Sequence, residues 1–207
     1  MFKKYFIAAG IIVLAGIVLV AAMMFFRKGP DLSKYEFLRE PRITKLEDQK
    51  MIEVRVTGDP NLVGGKAFSQ LFKTYFRLKR TVSGLDMVAP RTRWPKPVNT
   101  PKNEWLGIYG MPIPASVTAL PEQDSKAEVK AEITTWEYGD VAEILHVGAY
   151  ADEPPTVEKL HAFVRAQGYK IIGPHEEEYL KGPGMLFKGD PKKYYTIIRY
   201  RVNKLTH

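Results

Sequence analysis

The chain has 207 residues, of which 45% are hydrophobic and 26% charged, proportions typical of a folded protein rather than a disordered one. It contains no cysteine, which excludes disulfides, thiol chemistry and cysteine-ligated zinc or iron–sulfur centres. The net charge of +8 is compatible with nucleic acid or anionic lipid as a partner. Because the sequence shows no helix-turn-helix pattern and no arginine-rich arm, we expect a basic surface near lipid headgroups and no nucleic acid partner.

An unbroken apolar run over residues 5–26 is the first predicted element. At about 1.5 Å per residue, it is long enough to cross a hydrocarbon core of about 30 Å. The alternative is a cleaved signal peptide, whose apolar region is typically about 7–15 residues and ends at a small-x-small site. This run is longer and ends before the basic pair Arg27-Lys28. The sequence therefore predicts an uncleaved transmembrane anchor over residues 1–28, in a single-pass protein of the cell membrane.

Basic residues flank this run on both sides, so the positive-inside rule leaves open the side of the membrane on which the remainder lies. Gly29-Pro30-Asp31 ends the predicted helix and begins a polar linker over residues 29–34. The pattern of a folded domain begins at Tyr35 and continues to the end of the chain, which gives a predicted domain over residues 35–207.

An internal repeat organises this domain. Residues 43–47 (Ile-Thr-Lys-Leu-Glu) resemble residues 133–137 (Ile-Thr-Thr-Trp-Glu), and an offset of ninety positions also relates Glu53 to Glu143 and Gly58 to Gly148. We place repeat one at residues 35–117 and repeat two at 131–203. In both repeats two strand-like segments flank a turn, which predicts a β-hairpin.

A helix pattern follows each predicted hairpin. Apolar residues at helical spacing form one face in each repeat: Phe68, Leu71, Phe72, Tyr75 and Phe76 in the first, and Val157, Leu160, His161 and Val164 in the second. Pro154-Pro155 favours a helix start and Gly168 a helix end. Strand patterns come next, at residues 105–112, 170–172, 176–180 and 194–202.

Two β-α-β-β units in tandem predict an α+β fold with one antiparallel sheet assembled from both repeats and helices on one face. The other face of such a sheet is covered by further chain or left concave. A groove between the two repeats is a natural place for a small-molecule ligand.

The second repeat resembles the GyrI-like small-molecule-binding, or effector-binding, domain. The residues that carry the resemblance are a strand ending in Gly148-Ala149-Tyr150, a helix containing Leu160-His161-Ala162-Phe163, the strand Glu177-Glu178-Tyr179-Leu180, and a closing strand at Thr196-Ile197-Ile198-Arg199. Residues 131–202 follow the pattern well, and residues 35–117 follow it more loosely, mainly through the repeat.

The first repeat is also similar to the SOUL haem-binding family, through residues 67–75 and Met87-Val88-Ala89-Pro90. The resemblance implies the same duplicated fold as the GyrI-like domains. Haem binding is the function that it adds as an alternative. Residues 35–130 contain no histidine for an axial ligand, and we expect no cofactor.

The GyrI-like resemblance implies that Glu177 lies in a pocket and attracts cationic or polar aromatic ligands. Tyr179 shares its face of the strand, since side chains alternate. A carboxylate among aromatic walls is costly to bury alone and gains from a cation, which the rings also attract. The alternative is that Glu176, Glu177 and Glu178 form a solvated edge strand.

Other aromatic and histidine side chains are further candidates for the ligand site: Trp136, Tyr138, His146 and Tyr150 from repeat two, and Trp105 and Tyr109 from repeat one. Each aromatic has the alternative of a packing role. His146 and His161 lie among apolar neighbours, where a histidine hydrogen-bonded within the core is the alternative. No His-x-x-x-His pattern or carboxylate cluster indicates a metal, so we expect none.

These observations predict a membrane-anchored protein that binds an amphipathic or cationic small molecule in the groove between the repeats. One alternative is a GyrI-like hydrolase that uses Glu177 as general base on a cyclopropanoid-type electrophile. The chain departs from that branch at Glu176 and Glu178, where a histidine and an aliphatic residue are expected. This departure favours a binding protein over an enzyme. Another alternative is a membrane-tethered receptor for a protein partner.

Overall fold

The computed structural model describes residues 30–97, 99–183 and 189–206. The predicted anchor at residues 5–26 lies outside the described residues. None of the helices within the described ranges is long and apolar enough to span a bilayer. The chain divides after Lys34 into two units, and the strands and α-helices that the structure describes all belong to the second unit, residues 35–207.

Nine strands and two α-helices make up this unit as described. The strands are β1 (Arg42–Leu46), β2 (Gln49–Thr57), β3 (Arg91–Trp94), β4 (Leu106–Pro112), β5 (Ala131–Trp136), β6 (Gly139–Val147), β7 (Tyr169–Ile171), β8 (His175–Lys181) and β9 (Tyr195–Lys204). The helices are α1 (Pro60–Thr81) and α2 (Pro154–Ala166). All strand pairs are antiparallel, which confirms the predicted α+β class and antiparallel sheet.

The strand order is β1-β6-β9-β8-β3-β4-β2-β5, with β7 paired to β9. The predicted hairpins are therefore wrong: β1 pairs with β6, and β2 pairs with β5. The pairing register continues unchanged across the two bends, since Leu46 lies opposite Gly139 and Gln49 opposite Trp136. The expected turns are bends in two long strands that run antiparallel to each other, and the Tyr138 amide donates to Asp48 Oδ1 at 2.9 Å between the bends.

Both helices pack on the same face of the sheet, termed the helix face. Leu71 of α1 packs with Val54 and Tyr109 in one buried cluster. Leu160 of α2 packs with Ile198 in another. The apolar spacing read from the sequence supplies these contacts, and fully burying such a side chain contributes about 1.5–3 kcal/mol.

Local signals fix the ends of the helices. Asp59 caps α1 by accepting the amide hydrogen of Asn61, and α1 begins at Pro60. Pro154-Pro155 begins α2, as predicted, and Gly168 follows its end with a φ of +74°. Proline is favoured at the first position of a helix, because an amide there has no helical hydrogen bond to lose and the φ angle of proline already suits the helix.

The repeat is visible in the backbone at Gly58 and Gly148, which precede the helical segments of their repeats. Their φ angles are +141° and +153°, a region that residues with a side chain rarely adopt. A Cβ atom on Gly58 would lie 2.9 Å from Val63 Cγ1, and one on Gly148 would lie 3.1 Å from His146 Nε2. Glycine is therefore required twice, at equivalent points, by conformation and by space.

The repeats are joined by the pairings of β1 with β6, β2 with β5 and β3 with β8. The pairing of β3 with β8, where Thr92 lies opposite Glu177, is termed the seam. The two residues hold equivalent positions, since Thr92 faces Tyr109 of β4 and Glu177 faces Ile198 of β9. Because α1 lies over β2 and β4 and α2 over β6 and β9, this seam lies between the helices on the helix face.

Leu71→Ala tests the contribution of the α1 contact. Leu71 is fully buried, and removing its branched side chain leaves a cavity, so we expect the free energy of unfolding to fall by about 2–5 kcal/mol. Leu62→Ala is the matched control, because Leu62 lies on the same helix but is 77% exposed. Its effect should stay within about 0.5 kcal/mol. Urea unfolding followed by circular dichroism measures both, and equal effects of the two variants would contradict this assignment of the buried face.

Candidate functional site

Three side chains hold the Glu177 carboxylate in place at the seam. Trp94 Nε1 donates to Glu177 Oε1 at 3.0 Å, and His175 Nε2 lies 2.9 Å from the same oxygen. The Tyr179 hydroxyl donates to Oε2 at 2.5 Å. The Glu177 side chain is 12% exposed. The carboxylate is therefore oriented by neutral or titratable donors and lies largely out of bulk water.

The alternation of side chains along β8 decides which groups meet here. His175, Glu177 and Tyr179 lie at i, i+2 and i+4, so all three point to the helix face. Glu176 and Glu178 point to the opposite face of the sheet, termed the arginine face. β8 lies between β3 and β9 in the sheet, so the alternative of a solvated edge strand is wrong.

On the arginine face, arginines neutralise the carboxylates. Arg199 contacts Glu176 at 2.8 Å and Glu143 at 3.0 Å, and Arg93 contacts Glu176 at 2.8 Å. Burial acts to raise the pKa of Glu176, but Arg199 and Arg93 outweigh it and the pKa is lowered. This network ties β3, β6, β8 and β9 together beneath the seam.

Aromatic rings surround Glu177 on the helix face. The Tyr179 ring contacts Phe68 of α1 and Tyr150, with centroids 5.9 and 5.6 Å apart. The Trp94 ring contacts Tyr109 and Trp105, with centroids 5.9 and 5.6 Å apart. Burial, together with the charge of Glu177, raises the pKa of Tyr109 to about 12, so this hydroxyl stays protonated at neutral pH.

A second carboxyl, that of Glu153, faces the same place from the start of α2. Glu153 is 7% exposed, and its Oε1 has no hydrogen-bond partner among the described residues. Ligand atoms of Glu153, His175 and Glu177 all lie within 4.8 Å of one another. Burial, and then the charge of Glu177, raise the pKa of Glu153 to about 9, so it is neutral at pH 7.

Two carboxyls and an imidazole are a set of side chains that could coordinate a divalent metal ion. His175 Nε2 is directed at Glu177 Oε1, however, and His175 Nδ1 lies 2.6 Å from the Tyr200 hydroxyl. Each oxygen of Glu177 also accepts at least one hydrogen bond. The polar atoms of His175 and Glu177 thus face each other and their neighbours, whereas Glu153 Oε1 has no hydrogen-bond partner among the described residues.

Five of the seven predicted ligand-site residues come together around this seam. They are Glu177, Tyr179, Tyr150, Trp105 and Tyr109. Trp136 does not join them: it lies on the arginine face, where its Nε1 donates to Glu53 Oε2 at 2.6 Å and the Arg93 guanidinium lies 4.1 Å from its ring. Tyr138 lies on that face too, and donates to Glu176 at 2.8 Å.

His146 also lies apart from the aromatic cluster. Its Nδ1 is 2.9 Å from Thr156 Oγ1 and its Nε2 is 3.1 Å from the Ala149 carbonyl oxygen. Both nitrogens are used to hold the turn that leads into α2. His146 is therefore the hydrogen-bonded core histidine given above as the alternative. His161 of α2 packs on the edge of the Tyr200 ring, with centroids 4.8 Å apart.

Sequence reasoning did not single out Trp94, His175 and Glu153 as site residues. His175 had a usable signal, since it alternates with Glu177 and Tyr179 on one strand. Trp94 had none, because its approach to Glu177 depends on the pairing of β3 with β8 across the repeats. Glu153 precedes two prolines at a helix start and resembles an ordinary helix-capping residue.

Two depressions on the described surface do not share the chemistry of the seam. Depressions of about 10 and 460 Å³ lie on another flank of α1, against residues 121–129. Residues such as Lys66, Lys73 and Glu128 line them, and no aromatic side chain does. They lack the apolar and aromatic enclosure typical of small-molecule sites. At the seam, the aromatic side chains pack around Glu177, and the outermost ring is that of Tyr150, which is 38% exposed.

Comparison with known proteins places the fold. No protein-family model and no curated protein sequence matches the chain. A crystal structure of an uncharacterised conserved protein from Listeria innocua is similar, with 22% identity over 83% of this chain and 98% of that one, and a TM-score of 0.67. A hydrolase from Listeria innocua is similar with 20% identity over 88% and 97%, and a TM-score of 0.65. The C-terminal domain of EcmrR is similar with 14% identity over 80% and 98%, and a TM-score of 0.51.

At these identities the likeness establishes the fold alone. The chain thus has the α+β fold that is shared by the two Listeria innocua proteins and the EcmrR C-terminal domain.

Glu153→Gln tests the unusual protonation of this carboxyl. A glutamate in the unfolded chain titrates near its ordinary value of 4.5, whereas folded Glu153 keeps its proton up to about 9. The folded state therefore binds more protons between these values, and the free energy of unfolding falls as pH rises through this window. Glu153→Gln removes the effect. The variant should gain stability relative to the native chain as pH rises from 5 to 9.

Urea unfolding midpoints at pH 5, 7 and 9 measure this difference. The titratable groups that face Glu153 are Glu177, His175, Tyr150 and Tyr200. Glu177 and the two tyrosines repel the charge of Glu153 when they are ionised. A stability difference that is the same at all three pH values would contradict the raised pKa.

Proposed function

We propose that the chain is a membrane-anchored small-molecule-binding protein that takes an amphipathic or cationic ligand at the seam between its repeats. One observation carries the ligand part of the proposal. Carboxylates on the arginine face pair with arginines, whereas among the described residues Glu177 and Glu153 contact no lysine or arginine. The helix face thus presents the negative charge of Glu177, which no lysine or arginine among the described residues neutralises.

Aromatic side chains make this charge selective for organic cations. The face of an aromatic ring attracts a cation by about 0.5–2 kcal/mol, and more where water is excluded. Tyr179, Trp94 and Tyr109 all lie within ring contact of one another or of Phe68. A ligand with a positive head and an apolar or aromatic body would meet complementary groups on both parts.

The resemblance to GyrI-like effector-binding domains supports the same conclusion, and so does the fold that the chain shares with the EcmrR C-terminal domain. The anchor part of the proposal depends on the apolar run at residues 5–26 alone. With that anchor, the ligand-binding unit would act at a membrane surface as a sensor or a sink for amphipathic molecules.

Glu177→Gln tests the binding function. Isothermal titration should show that 4-phenylbutylamine, a cation, binds at least tenfold more tightly than the neutral 4-phenylbutanol, because only the cation gains from the carboxylate. Glu177→Gln should remove this preference. Glu128→Gln is the control, since Glu128 is 78% exposed and lies away from the seam. Equal binding of amine and alcohol to the native chain would contradict the proposal.

A hydrolase is the second candidate, favoured by the unequal environments of Glu153 and Glu177. A carboxyl that is neutral at pH 7 can donate a proton, while a neighbouring carboxylate can accept one from water. In this scheme Glu177 takes a proton from water, and the water oxygen attacks a cyclopropane carbon of the electrophile. The ring C–C bond at that carbon breaks, its electron pair passes to a carbonyl conjugated with the ring, and Glu153 protonates the carbonyl oxygen. The hydrolase from Listeria innocua shares this fold.

The enzyme hypothesis has its own test. If the chain hydrolyses a cyclopropanoid electrophile, Glu177→Gln should lower the rate by about 10²–10⁴-fold, the usual contribution of a general base. Loss of the electrophile's ultraviolet absorbance measures turnover. An unchanged rate in this variant would exclude Glu177 as the base, and no turnover by the native chain would leave the binding function as the conclusion.

The haem alternative stays a prediction without structural support. His146 and His175 each use both ring nitrogens in hydrogen bonds. Either of these two histidines would have to give up such a bond to serve as an axial ligand. If no Soret band of bound haem appears after haem is added, the haem-binding alternative is wrong.

A further inference from the structure

Glu153 has a buried oxygen without a hydrogen-bond partner at the seam. Its Oε1 is buried and has no hydrogen-bond partner among the described residues, although the large majority of buried side-chain polar atoms in proteins have one. Its position at the start of α2 does not explain it, because the side chain makes no capping hydrogen bond. A ligand that donates a hydrogen bond to this unpaired buried acceptor is therefore bound more favourably.

Glu177 has room for one more donor on one oxygen. Oε1 already faces both Trp94 and His175, while Oε2 accepts only from Tyr179. A carboxylate oxygen can accept two hydrogen bonds. The open acceptor positions are therefore one on Glu177 Oε2 and those on Glu153 Oε1.

The spacing of these carboxyls allows a single nitrogen to contact both. One carboxyl oxygen of Glu153 and one of Glu177 lie no more than 4.8 Å apart. Two N–H···O bonds of about 2.8 Å from one tetrahedral nitrogen place their acceptors about 4.6 Å apart. A trimethylammonium nitrogen has no N–H, and its methyl carbons approach oxygen only to roughly 3.3–3.6 Å. It cannot donate to either carboxyl.

We propose that the seam selects cations that carry N–H donors, such as a primary ammonium or a guanidinium, over onium ions of fixed charge, with Glu153 and Glu177 as the paired acceptors. This inference rests on the proposed binding function and names its ligand class. Glu153 is thereby a specificity-determining residue, and Glu177 provides the charge that any cation would use.

A row of rings along α1 indicates where the apolar part of such a ligand lies. Phe68 stacks on Phe72 and Phe72 on Phe76, with centroids 6.1 and 6.2 Å apart. Phe68 contacts Tyr179 beside Glu177, and Phe76, at the other end, is 41% exposed. The row thus runs from the carboxylates to the surface. An amine with an aryl or alkyl tail of several carbons fits this arrangement.

Two probes with the same tail test the inference: 4-phenylbutylamine and 4-phenylbutyltrimethylammonium. We expect isothermal titration of the full chain, in detergent and with a chelator present, to give at least tenfold tighter binding of the amine. Glu153→Met removes the acceptor and keeps an unbranched side chain. It should weaken amine binding about tenfold, leave the trimethylammonium ion within twofold, and so abolish the preference. Glu153→Gln keeps one acceptor oxygen and should retain part of it.

Each outcome separates this inference from the function on which it rests. Equal binding of both cations to the native chain would overturn the selectivity and leave the cation-binding function standing. A preference that survives in Glu153→Met would overturn the role of Glu153. If neither cation binds better than 4-phenylbutanol, the binding function itself fails. Should Glu153→Met not fold, the comparison of the two probes on the native chain still decides the selectivity.

Discussion

The structure depends on how strand β8 divides three consecutive glutamates between the two faces of the sheet. Glu176 and Glu178 point to the arginine face, where Arg199, Arg93 and Arg91 offset the cost of taking carboxylates out of water. Glu177 points to the helix face, where its neighbours are a tryptophan, a tyrosine and a histidine. The arginine network fixes β3, β8 and β9 with respect to one another. It thereby fixes the position of Glu177, although none of its arginines contacts that carboxylate.

The two repeats have kept their framework and diverged at the seam. Gly58 and Gly148 adopt the same rare conformation, and Glu53 and Glu143 are both buried on the arginine face. At the seam itself, Thr92 and Glu177 occupy equivalent and adjacent positions. A glutamate at both would place two ionised groups side by side and raise the pKa of one of them. The two repeats therefore differ at the seam by one charge, because repeat two has a glutamate where repeat one has a threonine.

Much of the fold was predictable, because it depends on local periodicity. The helical spacing of apolar residues and the Pro-Pro and Gly signals gave both helices, and the ninety-residue offset gave the duplication. The hairpins were mispredicted because Asp48 and Tyr138 are at bends in long strands, and only the pairing partner distinguishes a bend from a turn. The same bend decides the face on which Trp136 lies. For the site, Glu177 and Tyr179 followed from alternation and resemblance. Trp94 and Glu153 arrive through long-range pairing and packing, which no local pattern encodes, and the anchor stays a prediction from residues 5–26.

The two faces of the sheet treat their carboxyl groups differently, and this difference concerns the close approach of Glu153 and Glu177. On the arginine face, each carboxylate of β8 contacts an arginine, and the same pairing would have stabilised carboxylates on the helix face. On the helix face, burial instead keeps the Glu153 carboxyl neutral, and its Oε1 has no partner in the part of the chain that the structure describes. The Glu177 carboxylate is oriented a few ångströms away. Such an arrangement lowers stability, and apolar residues in place of Glu153 would relieve it. Groups kept at a cost to stability concentrate where a protein binds or reacts. Arginines thus neutralise Glu176 and Glu178, whereas Glu177 and Glu153 are left for a donor from outside the protein. This contrast is the physical reason to expect a ligand at the seam.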